Sequence, residues 1–180
     1  SEGPSFFPAF IFPNFDQDAF EDECHDWLKP YFVDAESGRL LMSLHCSIIK
    51  KPKHTIIVDT CVGNHKQRPD TNAWHMKDGP FRNRMSAMGV APESVDFVMC
   101  THLHVDHVGW NTRLVDGRWL PTLPKARYVF ARTELDHWVE INKKGKKYSD
   151  GCIDDSVLPV LEAGQAEIVA DDYAFDEEIR

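Results

Sequence analysis

Apolar residues recur in short blocks separated by polar or Gly/Pro punctuation, with both two-residue and helical periods. In Arg39 to Lys50 the positions Leu40, Leu41, Met42, Leu44, Ile48 and Ile49 predict one long strand. Lys51-Pro52-Lys53 then turns the chain into a strand over Thr55 to Asp59, making a hairpin. Residues 60 to 80 are polar and irregular. A helix is predicted over Phe81 to Met88, where Gly89 suits the C′ position, and Pro92-Glu93-Ser94 forms a short turn. Val95 to Cys100 reads as a buried strand, and Leu114 to Leu120 as a hairpin around Asp116-Gly117. Arg127 to Ala131 is a further strand. Thr133 with Asp136 resembles a capping box opening a helix through Asn142, and a second helix runs from Asp155 to Leu161, stopping near Gly164. A late strand, Glu167 to Ala170, leads into the acidic stretch Asp171 to Glu178. Strands and helices interleave, which predicts an α/β class without repeats or low-complexity segments.

The chemistry concentrates in Thr101-His102-Leu103-His104-Val105-Asp106-His107-Val108-Gly109, immediately after the Val95 to Cys100 strand. Three imidazoles and a carboxylate within six residues suit a transition metal, which takes such donors at roughly 2.0–2.2 Å. His102 and His104 are two apart, so at an extended strand end they face one side and can share an ion. Asp106 and His107 are adjacent and diverge in regular structure, which favours a second ion beyond a turn. The placement at a strand's carboxyl end is where open α/β sheets carry reactive groups.

The segment His102-x-His104-x-Asp106-His107 resembles the signature of the metallo-β-lactamase superfamily. The resemblance implies an αββα sandwich in which His102 and His104 hold metal one, and Asp106 and His107 hold metal two. It also aligns Thr55-Ile56-Ile57-Val58-Asp59-Thr60 with the family's strand ending in Asp. Asp59 would then accept a hydrogen bond from a ligand imidazole, fixing its tautomer; alternatively it caps the turn before Gly63. Val58 to Gly63, Thr101 to Trp110, Gly117-Arg118-Trp119 and Tyr128-Val129-Phe130 most resemble the lactonase and organophosphate-hydrolase-like branch. Members of that branch hydrolyse lactones, esters or phosphotriesters.

The family pattern continues with a third histidine on metal one, a bridging carboxylate and a last histidine on metal two. After His107 the sequence holds only His137, inside a helical pattern. Residues 1–180 are therefore expected to form a single domain of this type whose C-terminal part, with those ligands, is absent.

Composition narrows the partners. The 180 residues suit one domain that buries roughly 70% of its unfolded surface. A net charge of −9 argues against nucleic acid, and the basic run Lys143-Lys144-Gly145-Lys146-Lys147 reads as a solvated loop. The cysteines Cys24, Cys46, Cys61, Cys100 and Cys152 show no CxxC spacing, so reduced thiols in a cytoplasm are expected. No stretch approaches the ~20 apolar residues of a membrane span, and no signal peptide is evident.

The predicted activity is hydrolysis of an ester, lactone or phosphotriester by a hydroxide bridging two divalent ions. Zinc is the first choice, with manganese, iron or cobalt as alternatives. By the resemblance, Asp106 coordinates metal two and orients the hydroxide or passes a proton to the leaving group. The expected substrate is a small molecule with an apolar part, lined by Trp110 and by Phe10 and Phe12. Those phenylalanines belong to an aromatic segment, Phe6 to Phe15, that reads first as a strap on the core or on a second copy in a homodimer and only second as a pocket wall. His45, His54, His65 and His75 lack ligand spacing and read as ordinary polar residues, although the segment carrying His65 and His75 could overhang the site. Two other classes stay open: a noncatalytic interaction module retaining half of a metal site, and a diiron redox enzyme.

Overall fold

The computed structural model describes residues 5–23, 26–144, 151–170, 172–177 and 179. Cys24, Gly145, Lys146 and Lys147 of the basic run, and both ends of the acidic stretch, Asp171 and Glu178, lie outside the described residues. The chain divides into two compact units, Ser1–Leu44 and His45–Arg180.

In the first unit, strand β1 (Ser5–Phe6) is followed by the helices α1 (Pro8–Ile11), α2 (Gln17–Glu23) and α3 (Lys29–Phe32). Strand β2 (Leu40–Leu41) returns antiparallel to β1. Phe20 and Leu40 are buried, whereas Phe7, Phe10 and Phe12 are exposed. Phe12 lines a largely apolar cavity of about 270 Å³ with Phe15, Phe20, Leu28 and Leu40.

The second unit is built on a five-stranded sheet. Strands β3 (Ser47–Lys50) and β4 (Thr55–Val58) form the antiparallel hairpin expected around Lys51-Pro52-Lys53. Helix α4 (Phe81–Ala87) ends at Gly89, whose φ of +70° is the left-handed turn that glycine adopts without strain. Strand β5 (Phe97–Met99) then lies parallel to β4. Next come α5 (Val105–Val108), a 3₁₀ turn over Gly109–Asn111, and the hairpin β6 (Thr112–Val115) and β7 (Arg118–Pro121). Asp116 and Gly117 both take positive φ between β6 and β7, the turn chemistry that Asp-Gly supplies. Strand β8 (Arg127–Ala131), helix α6 (Arg132–Lys143), a π-helical turn over Ile153–Val157, helix α7 (Leu158–Glu162) and strand β9 (Ala166–Val169) complete it. The sheet order is β3-β4-β5-β8-β9, parallel except for the first pair. Ile57, Val98 and Tyr128 are in register across the central strands and fully buried, so the sheet interior anchors the loops at its carboxyl edge.

Three expected elements take a different form. The apolar run of Arg39 to Lys50 is split between β2 and β3, because Leu40–Leu41 pairs with β1 and Ser47–Lys50 with β4. Helix α6 starts at Arg132, placing Thr133 inside its first turn; its N-cap is Ala131, without a side-chain cap. The helix expected from Asp155 begins as the π-helical turn at Ile153. Among the described residues no helix is long and apolar enough to cross a membrane.

Candidate metal centre

The residues following β5 fold back over those following β4, and backbone hydrogen bonds lace the two loops together. Asp59 N donates to Met99 O at 2.9 Å, and Thr60 N to His107 O at 2.6 Å. Gly109 N donates to Cys61 O at 2.7 Å, and Trp110 N to Thr60 O at 2.9 Å. Asp59 and Cys61 hold φ of +57° and +51°, a strained left-handed conformation for residues with a Cβ. The strain aims the Asp59 carboxylate into the turn after β5. Its Oδ1 accepts from Thr101 N at 2.8 Å, and its Oδ2 lies 2.8 Å from His107 Nδ1.

The structure brings His102, His104, Asp106 and His107 into one cluster. The rings of His102 and His104 are 4.6 Å apart, and those of His102 and His107 only 3.9 Å. Asp106 Oδ2 stands 3.4 Å from His107 Nε2. Asp106 and His107 therefore approach one another on α5, a single short turn, rather than diverging.

Electrostatics prepare these donors differently. Burial, then the neighbouring His107 and His104, hold His102 below the ordinary imidazole value, so its lone pair is available at neutral pH. His107 moves the other way: hydrogen bonds to Asp106 and Asp59 raise it to about 9. Burial works against ionisation of Asp106 and of Asp59, yet hydrogen bonding to His107 holds both below the ordinary carboxylate range, Thr101 assisting at Asp59.

A stability prediction follows with a definite sign. The folded value of His107 lies above its unfolded value, so its contribution is complete below about 6.5 and fades as pH rises towards 9. Asp59→Asn should therefore destabilise the metal-free protein more at pH 6 than at pH 9.5, measured by urea unfolding with a chelator present. An equal loss at both values would show that His107 carries no extra proton.

Imidazole and carboxylate are the donor types a divalent transition ion takes, and a bound ion would displace the extra proton of His107, so in kind the cluster fits. Among the described residues, however, no group of three or more His, Cys, Asp or Glu side chains is arranged to hold one ion.

Trp110 is 9% exposed and stacks on Phe81 with ring centroids 4.9 Å apart. Phe10 and Phe12 belong to the first unit. His65 lies 3.7 Å from Asp78 Oδ1, and His75 Nδ1 accepts from Arg68 N at 3.0 Å. The four described cysteines, Cys46, Cys61, Cys100 and Cys152, are free thiols.

Sequence reasoning passed over a buried ionic network beside the metal loop. Arg68 pairs with both carboxylate oxygens of Asp155, at 2.8 and 2.9 Å. Lys66 Nζ donates to Asp155 Oδ1 at 3.2 Å and to Thr112 Oγ1 at 2.9 Å, and lies 3.9 Å from the Trp119 ring centroid. Lys66 and Arg68 are at most 1% exposed. The network ties the 60–80 segment, the start of β6 and the π-helical turn to one another.

A family profile described as the metallo-beta-lactamase superfamily matches residues 42–172, and the chain belongs to that superfamily. Its members generally bind divalent metals, often zinc. A probable metal-dependent hydrolase from Staphylococcus aureus superposes with a TM-score of 0.72 at 15% identity, over 96% of this chain and 57% of that one. The hydrolase AbOPH, of the beta lactamase superfamily, gives 0.66 at 21% identity, over 97% and 57%. AidC, a dizinc quorum-quenching lactonase in complex with a product, gives 0.51 at 16% identity, over 77% and 47%. The α/β fold of the metallo-β-lactamase type is thus shared with these structures, and the chain spans 57% of the length of each of the first two. A comparison with curated protein sequences finds no match.

Proposed function

We propose that this chain carries part of a two-ion hydrolytic centre acting on a neutral ester, lactone or phosphotriester. The observation that carries the reading is the cluster of His102, His104, Asp106 and His107 at the carboxyl end of β5, braced by Asp59. His102 and His104 would hold one divalent ion, and Asp106 and His107 the other, with zinc the first choice because the similar AidC is a dizinc enzyme. Bound ions of this kind lower the pKa of water from 15.7 to about 7 and polarise the bond to be broken. Asp59 fixes the orientation of the His107 ring through Nδ1, leaving Nε2 directed at the Asp106 carboxylate. Asp106, held ionised, would orient the attacking hydroxide or pass a proton to the leaving group.

Substrate preference follows from charge. The balance of −9 offers no cradle for a strongly anionic substrate, which favours a neutral one with an apolar arm. Each buried methylene contributes roughly 0.8 kcal/mol, about fourfold in affinity. In the complete natural chain, kcat/KM across acyl lactones should rise by about that factor per methylene until the pocket is full, and exceed that of a phosphodiester. A flat series, or a faster phosphodiester, would overturn the substrate class. A second reading, a metal-binding interaction module without catalysis, draws on the lack of any group of three or more donors for one ion among the described residues. It predicts bound metal with no turnover of any member of the series.

A further inference from the structure

Helix α6 reaches the metal loop at one backbone group. Leu103, between His102 and His104, donates its amide to Glu134 Oε1 at 3.1 Å. The same oxygen accepts from the indole Nε1 of Trp138 at 2.7 Å, and the Trp138 ring meets the His104 ring edge-on with centroids 5.0 Å apart. On its other side Leu103 O accepts from the Cys152 thiol at 3.6 Å, and the Leu103 side chain is 1% exposed. The residue separating the two imidazoles is thus held at its amide, carbonyl and side chain. Burial works against the Glu134 charge, but the Leu103 amide and the Trp138 indole, followed by His102 and His104, hold the carboxyl below its ordinary range.

We infer that Glu134 is a positioning residue for the His102–His104 pair: by fixing the Leu103 amide and the Trp138 ring, it presents both imidazoles together before an ion binds. This rests on the two-ion reading above. Groups hydrogen-bonded directly to ligand imidazoles cost about 10–100-fold in metal affinity when lost, and Glu134, which acts one step further out through the Leu103 amide and the Trp138 ring, is expected at the lower end of that range.

The test compares Glu134→Met, which keeps the volume and removes the acceptor, with Glu134→Gln, which keeps an acceptor oxygen. In the complete natural chain, zinc affinity measured by chelator competition should fall at least tenfold in Glu134→Met and recover most of that loss in Glu134→Gln. Affinity within twofold of wild type in folded Glu134→Met, or equal losses in both variants, would overturn the assignment. Hydrogen exchange of the wild-type, metal-free protein needs no variant: the Leu103 amide should be protected, and exchange at the rate of an open loop would also overturn it. Zinc binding by a wild-type protein that hydrolyses nothing would refute the hydrolase reading and leave Glu134 its role. Wild-type hydrolysis with undiminished zinc affinity in Glu134→Met would do the reverse. A wild-type chain that binds no zinc would refute both.

Discussion

Gly109→Ala should abolish the folded state of the second unit or come close to it. An added Cβ would lie 1.9 Å from the carbonyl carbon of Val62, 2.2 Å from its oxygen and 2.3 Å from Gly63 N. All three are backbone atoms, so no side chain can swing aside. Relief requires the two loops to separate, which breaks the bonds from Gly109 N to Cys61 O and from Trp110 N to Thr60 O. Overpacking a core typically costs about 1–3 kcal/mol, and a forced backbone separation exceeds that range, a large share of the roughly 5–15 kcal/mol that holds a domain together. Gly117→Ala is the control: nothing lies within 4 Å of its added Cβ, and only the φ of +77° is strained, worth roughly 1–2 kcal/mol. Urea unfolding with a chelator present should separate the two variants clearly. Equal midpoints would show that the loops do not approach as described.

The second large effect is expected at Asp155→Asn. Asp155 is the shared carboxylate partner of Lys66 and Arg68, and removing one member of a buried ion pair costs about 3–5 kcal/mol because the partner stays buried and uncompensated. For a chain of this length that corresponds to a fall in Tm of roughly 6–20 °C. Lys66→Met should cost far less, since Arg68 keeps its two-pronged contact and the methionine fills the space. Burial lowers Lys66 to about 8 despite the attraction of Asp155. Its folded value lies below the unfolded 10.5, so the penalty of the charged lysine is present below 8 and relieved as pH rises towards 10.5. Thermal unfolding of both variants is the measurement. A larger loss in Lys66→Met than in Asp155→Asn would mean that the carboxylate does not compensate the two cations.

What could be read from the sequence was local. Lys51-Pro52-Lys53 and Asp116-Gly117 carry their own turn chemistry, and the hairpins formed where they stand. The donors His102, His104, Asp106 and His107 lie within six residues, so their proximity follows from the chain itself. Long-range choices were not legible. Lys66 and Arg68 read as loop residues because the carboxylate that permits their burial is 87–89 residues away. Glu134 gave no signal, being one acidic residue in an amphipathic helix whose relevant partner is a backbone amide 31 positions earlier. The run from Arg39 to Lys50 had enough apolar residues for a long strand, and its division depended on which partner strand each part met.

The lacing of residues 59–63 to 107–111 also bears on the order of events during folding. Thr60 and Asp59 meet His107 across 47 and 48 positions, and closing such a loop costs entropy that only the assembled sheet repays. A peptide covering 101–110 has no such support and would not hold its donors together. An ion bound at these residues would therefore not seed the structure as zinc seeds a finger; the core would have to assemble first and present the side chains to it.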